Sequence, residues 1–155
     1  METKKDIKSV LKADHEVVSR LMDQIEATDE KSPRKREELY TKFRNEIVLH
    51  TKTEERALYP IIKDIEETKD IALEAEQEHK VVDSLIAKID AMKFDDESWG
   101  PTFKVMKENI EHHVEEEEGE MFEKMDKVFS KEYLQSLGEN FEEVKKQLER
   151  HRSAA

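Results

Sequence analysis

Apolar residues return along this chain at intervals of three and four, in four stretches separated by three short polar breaks. That spacing puts about one residue per turn on a single face and predicts four amphipathic α-helices. The first runs from about Lys4 to Ala27, with Ile7, Leu11, His15, Val18, Met22 and Ile25 along its stripe. A polar break over residues 28–33 leads into the second, about Pro33 to Glu66, with Ser32 expected as N-cap and Pro33 in the first turn. Its stripe is Leu39, Phe43, Ile47, His50, Glu54, Leu58, Ile61 and Ile65, and Pro60 inside it is expected to kink the helix. The third helix, about Lys69 to Met92, carries Ala72, Ala75, His79, Val82, Ile86 and Ile89. The fourth, about Pro101 to Val128, carries Phe103, Met106, Ile110, His113, Glu117, Met121 and Met125. After Ser130 a weaker pattern continues through Leu134, Leu137, Phe141, Val144 and Leu148, with Gly138 expected to divide it or end its first piece.

These elements predict an all-α protein: an up-down-up-down antiparallel four-helix bundle over residues 1–130, with a C-terminal helical extension, residues 131–155, packed on it. Three glycines and three prolines are too few for the turns of a sandwich or barrel. A chain of 155 residues suits one domain with a real core, and the absence of cysteine removes disulfides, thiolate metal sites and cysteine nucleophiles. The net charge of −12 leaves no basic face for nucleic acid or anionic membranes. No stretch approaches the ~20 apolar residues of a membrane span, and the N-terminus lacks a signal-peptide core, so a soluble cytoplasmic protein is expected.

Each of the four stripes is interrupted near its middle by one histidine: His15, His50, His79 and His113. Two helices add a carboxylate one turn later, Glu54 after His50 and Glu117 after His113, on the same face as the imidazole. At 1.5 Å rise per residue, antiparallel packing brings all six within about 6–9 Å of one level. A lone histidine on an apolar face is most often a hydrogen-bonded core residue. A lone buried carboxylate is harder to accommodate, because unpaired it costs several kcal/mol or takes up a proton. Four imidazoles and two carboxylates at one depth are best satisfied together by metal.

Six nitrogen and oxygen ligands exceed the needs of one tetrahedral zinc, and imidazole argues against calcium or magnesium. Glu54 and Glu117 on facing helices can each bridge two ions, leaving two histidines per ion. The set suits a pair of irons sharing a solvent-derived oxo or hydroxo bridge, with manganese and zinc as competitors, and leaves room for a small exogenous molecule. A ferritin-like site needs two Glu-x-x-His pairs, and only Glu76 to His79 fits. The His-Glu-x-x-His zinc protease motif and Gly-rich phosphate loops are absent from the sequence.

The chain resembles the hemerythrin-like, HHE cation-binding family, over about residues 4 to 128. The resemblance is carried by Asp14-His15, by His50-Thr-Lys-Thr-Glu-Glu-Arg-Ala-Leu-Tyr-Pro60, by Glu78-His79 and by His112-His113-Val-Glu-Glu-Glu-Glu118. It implies a non-haem di-iron centre, with His15, His50, His79 and His113 as terminal ligands and Glu54 and Glu117 as bridges. Two positions depart from the oxygen-carrying hemerythrins. Asp83 stands where they have a second histidine in helix three, and the fourth-helix carboxylate is Glu117 at four residues from the histidine rather than an aspartate at five. The four-histidine, two-glutamate set is more similar to di-iron proteins that repair iron–sulfur centres and to iron-sensing relatives, although the sequence holds no cysteine-bearing domain.

The resemblance implies a centre binding a diatomic molecule, oxygen or nitric oxide, for sensing, storage or delivery. The alternative is a redox enzyme at the same centre, oxidising ferrous iron or reducing peroxide or nitric oxide, or an iron donor acting with a redox or iron-receiving protein partner. Around the six, Glu55 and Glu118 are expected to face neighbouring helices or solvent, His112 a boundary and His151 solvent. Asp83 is expected to be solvated or to support a ligand rather than to be a seventh one. Tyr59 is expected to pack in the core rather than donate a hydrogen bond behind a ligand or a reducing equivalent, and Met106, Met121 and Met125 to fill the core.

Overall fold

The computed structural model describes residues 5–154, with side chains over residues 5–152. The expected start of the first helix at Lys4 and the last residue of the extension lie outside the described residues. The helices are α1 (Ile7–Glu26), α2 (Pro33–Ala57), α3 (Tyr59–Lys63), α4 (Glu66–Asp90), α5 (Trp99–Glu116), α6 (Phe122–Val128) and α7 (Lys131–Ala154), with a π-helical turn, Glu117–Met121, joining α5 to α6. The described residues contain no strand.

Local chemistry explains most of the boundaries. Asp6 caps α1 by accepting from the Ser9 backbone N–H at 2.9 Å. Ser32 stands at the N-cap position of α2 but makes no side-chain cap bond. Its backbone (φ −124°, ψ 55°) lies outside the extended region from which a capping hydroxyl reaches the first turn. Pro60 ends the second helix rather than bending it. α2 stops at Ala57, Leu58 leaves helical geometry (φ −123°, ψ −56°), and Pro60 falls in the first turn of α3, where its missing N–H costs nothing. α4 starts at Glu66, three residues before the expected Lys69.

The π turn answers a spacing problem. From His113 the inward residues follow at four, four and four: Glu117, Met121 and Met125. At 3.6 residues per turn, repeated fours drift off the seam, and one widened turn absorbs the excess residue. Glu117, Met121 and Met125 are all buried as a result.

Gly138 does not divide the extension: α7 runs unbroken through it. α7 presses against the chain entering α1 there, and a Cβ on Gly138 would lie 2.8 Å from the Asp6 carbonyl carbon and 2.8 Å from the Lys5 oxygen. The glycine is needed for close approach, and packing overrides its weak helix propensity.

The apolar core is in two parts. One cluster gathers Ile7 and Leu11 of α1, Ala57, Ile62, Ile71 and Ala72, Met121 and Met125, and Leu134, Leu137 and Phe141 of α7. The other gathers Met22 and Ile25, Leu39 and Phe43, Ile86 and Ile89, and Trp99, Phe103 and Met106. α1 passes from the first cluster to the second, α2 returns, α4 crosses again and the α5–α6 path returns. At the far end Arg36 ties three segments together, donating to Thr28 Oγ1, Thr28 O and Phe94 O while stacking 4.6 Å from the Trp99 ring. Between the two clusters lies a polar layer, and it contains all four seam histidines. No helix among the described residues is long and apolar enough to cross a membrane.

Candidate metal centre

His15 comes from α1, His50 and Glu54 from α2, His79 from α4, His113 from α5 and Glu117 from the first residue of the π turn, and all six are buried. They form two groups whose potential ligand atoms lie within 4.8 Å of one another: His15, His50, Glu54 and Glu117, and Glu54, His79 and His113. Glu54 belongs to both. Its Oε1 is 3.2 Å from His50 Nε2, 3.2 Å from His79 Nε2 and 3.9 Å from His113 Nε2. Glu117 divides its two oxygens, with Oε1 3.1 Å from His15 Nε2 and Oε2 3.2 Å from His113 Nε2. The imidazoles pair edge to face, His15 with His50 at 5.0 Å between centroids and His79 with His113 at 4.9 Å.

Short distances are not hydrogen bonds here. His15 Nε2, His50 Nε2, both oxygens of Glu54 and Glu117 Oε1 are buried without an aligned partner among the described residues. The atoms converge on shared points in space rather than on one another. Leaving that many buried polar atoms unmatched would cost several kcal/mol in a purely structural core. A cation at each point would satisfy them together, so the donor set fits a metal.

The other ring nitrogen of each of these four histidines is held by a carboxylate from a different helical segment. His50 Nδ1 is 2.7 Å from Asp14 Oδ2, His15 Nδ1 is 2.6 Å from Glu118 Oε2, His79 Nδ1 is 2.8 Å from Glu55 Oε2, and His113 Nδ1 is 2.8 Å from Glu78 Oε1. Each carboxylate adjoins a member of the six in sequence: Asp14 precedes His15, Glu55 follows Glu54, Glu78 precedes His79 and Glu118 follows Glu117. A helical step of ~100° turns a residue beside an inward-facing one toward the neighbouring helix. An Nδ1–H donated to a carboxylate fixes ring and tautomer and leaves the Nε2 lone pair facing the centre.

The electrostatics show what the layer does without metal. Burial alone would depress His50, but Glu54 and Asp14 outweigh it and push the imidazole up to about 10. Burial opposes charge on His79 and His113 too, and the surrounding carboxylates again prevail and raise both. Burial would raise Glu54, but the His50 imidazolium and the other ring nitrogens hold its carboxyl well below the ordinary range. Protons on imidazoles thus supply the positive charge that a cation would otherwise bring.

Above the imidazoles, Val18, Ile47, Thr51, Val82, Ile110 and Val114 wall a cavity of about 10 Å³, floored by the four histidines. That is room for about one water-sized molecule. On the opposite side the Tyr59 hydroxyl donates to Glu117 Oε2 at 3.1 Å and lies 3.2 Å from His79 Nε2 and 3.5 Å from His113 Nε2. Burial and then the charges of Glu117 and Glu54 raise this phenol well above its ordinary range and keep it protonated. The sequence favours packing for Tyr59 over a hydrogen bond behind a ligand; the ring is packed, and its hydroxyl also sits among the converging atoms. One residue beyond the break at Leu58, its placement depends on where α3 begins.

The surrounding residues divide clearly. Asp83 is half-exposed and 3.8 Å from Lys52 Nζ, away from the centre. His112 is exposed and joins Glu78 and Glu116 in a surface group, and His151 is exposed. Met106, Met121 and Met125 fill the core. Glu55 and Glu118 face neighbouring helices, where they hold imidazoles.

The sequence pattern of the hemerythrin HHE cation binding domain family matches residues 6–125. An uncharacterized hemerythrin-like protein of Schizosaccharomyces pombe is 28% identical over 108 residues, 68% of this chain and 53% of the relative. The chain thus spans about half the length of that curated relative. The crystal structure of a hemerythrin HHE cation binding domain-containing protein from Mycobacterium kansasii superposes with a TM-score of 0.81, covering 92% of this chain and 86% of that one at 22% identity, a likeness of fold. With a helical bundle around a buried layer of histidine and glutamate, and a family match spanning α1 to α6, this chain belongs to the hemerythrin HHE cation binding domain family.

Proposed function

We propose that this protein is a non-haem di-iron protein that binds a small diatomic molecule, oxygen or nitric oxide, for sensing, storage or delivery. His15 and His50 would each give Nε2 to one iron and His79 and His113 to the other, with Glu54 and Glu117 shared between them. The observation that carries this reading is the set of buried, unmatched His15, His50, Glu54 and Glu117 atoms beneath a cavity of about 10 Å³. An iron pair, when bound, supplies open coordination positions and electrons for a diatomic ligand.

The chain's own residues define what can reach it. The walls, valine and isoleucine with Thr51 among them, leave room for a small molecule only. The carboxylates behind the imidazoles keep the Nε2 atoms aimed inward. Tyr59 offers a proton donor on the far side of the layer, which also favours the second reading, a di-iron redox enzyme: a buried protonated phenol beside the ligand set could deliver a proton during turnover.

Loading the protein with ferrous iron without air, counting the metal and recording the visible spectrum as oxygen is admitted and withdrawn separates these readings. Two irons with a band that appears and reverses support reversible binding. Irreversible conversion to a ferric form supports the redox or iron-handling alternative. Failure to retain two ions would overturn both.

A further inference from the structure

The matched family segment ends at residue 125, yet a helix beyond it reaches the residues that hold the centre. α7 lies along α1 and α2, the helices that carry His15 and His50. Gly138 permits that approach, and Phe141 is fully buried with its ring 6.1 Å from the His50 ring. One turn further on the same face, Lys145 places Nζ 2.7 Å from Asp14 Oδ1. The other oxygen of that carboxylate lies 2.7 Å from His50 Nδ1. A chain of direct contacts therefore runs from α7 through Asp14 to an imidazole of one group.

The second group is supported differently. Glu55, which holds His79, pairs with Lys52 of its own helix at 3.3 Å. Glu78, which holds His113, has His112 at 3.8 Å. α4 and α5, the helices of that imidazole pair, pack on each other.

We propose that Lys145 is a positioning residue for the His15–His50 half of the centre, holding the Asp14 carboxylate in the orientation that aims His50 Nε2 inward, so that losing its ammonium weakens the hold on the cation of this half and not on its neighbour. The proposal rests on the paired-iron reading above. Lys145 itself touches no ligand atom, and its ammonium acts by fixing a carboxylate with two acceptor oxygens, each committed to a different donor.

The test uses the full chain loaded anaerobically with ferrous iron, with release followed by a chromogenic ferrous chelator. The wild type is expected to give up two ions in two phases, and the phase that His50→Ala removes is the one that belongs to the His15–His50 half. Lys145→Met is expected to bind two ions but to speed that phase alone by about tenfold, the low end for lost support behind a metal-binding histidine. Lys145→Arg should restore it. Lys8→Met, which breaks the 2.8 Å ion pair with Asp126, should change neither phase. Equal acceleration of both phases in Lys145→Met, or none, overturns the proposal while leaving the iron pair standing. Fewer than two ions in the wild type overturns the paired reading and this proposal together.

Discussion

Asp14 and His50 come from different helices, yet the Asp14 carboxylate lies 2.7 Å from His50 Nδ1, and Asp14 immediately precedes another inward-facing histidine, His15. The same arrangement recurs with Glu55, Glu78 and Glu118. α1, α2, α4 and the π turn each supply an inward residue and, one step around, a carboxylate for an imidazole on another segment. The layer is interlocked, and ring orientation in one helix depends on the placement of the next.

That interlocking predicts a loss of metal without loss of fold. Glu55→Gln keeps the shape of the side chain but weakens the 2.8 Å charge-assisted bond to His79. Metal affinity should fall about 10- to 100-fold with helix content unchanged. Competition against a calibrated chelator, read beside circular dichroism, checks this; unchanged affinity would show that Glu55 is only a surface partner of Lys52.

Glu54 and Glu117 should matter more. Either residue changed to alanine is expected to abolish the paired site, because each carboxylate faces imidazoles of both helix pairs. Metal counting and the magnetic coupling between the ions decide it, and two coupled ions retained in Glu54→Ala would refute the shared assignment. His112→Ala, at the exposed neighbour of His113, should leave the two buried ions in place.

Proton release offers an independent check. With His50 pushed up to about 10 and His79 and His113 also raised, the metal-free layer holds protons at pH 7. A cation can take a ring nitrogen only after its proton leaves, so binding at pH 7 should release protons and affinity should strengthen as pH rises. The same shift gives the metal-free fold a contribution from His50 that is fully present below its ordinary 6.5 and is lost as pH rises through about 10. Calorimetric titration in buffers of different protonation enthalpy measures the release; a count of zero contradicts the charged layer.

Gly138→Ala sets two effects against each other. Helix propensity favours alanine by about 1 kcal/mol. The new Cβ would meet Asp6 and Lys5 backbone at 2.8 Å, and backbone cannot rotate aside. Overpacking of about 1–3 kcal/mol should win, lowering the thermal midpoint by about 2–4 °C for each net kcal/mol. A higher midpoint would mean that α7 can shift outward at no cost.

Much of this protein is written in local order. Intervals of three and four determine the helices, because a residue's face follows from its position alone, and the same rule points His15, His50, His79, His113, Glu54 and Glu117 to one buried level. The acidic neighbours of those residues are equally visible in the sequence, but the imidazole each one holds is not. Whether Glu118 meets solvent or His15 depends on how α1 and the π turn lie together. Pro60 signals a disturbance, while the break at Leu58 that carries the Tyr59 hydroxyl into the layer depends on how α3 packs. Gly138 reads as a helix breaker, and only the nearness of Asp6, 132 residues earlier, shows it as a point of contact. Lys145 gives no signal, since a lysine on an amphipathic helix is ordinarily a solvated charge; its bond to Asp14 spans 131 residues. Periodicity encodes which side of an element is buried, whereas the partner it meets there is set by the packing of segments distant in the chain.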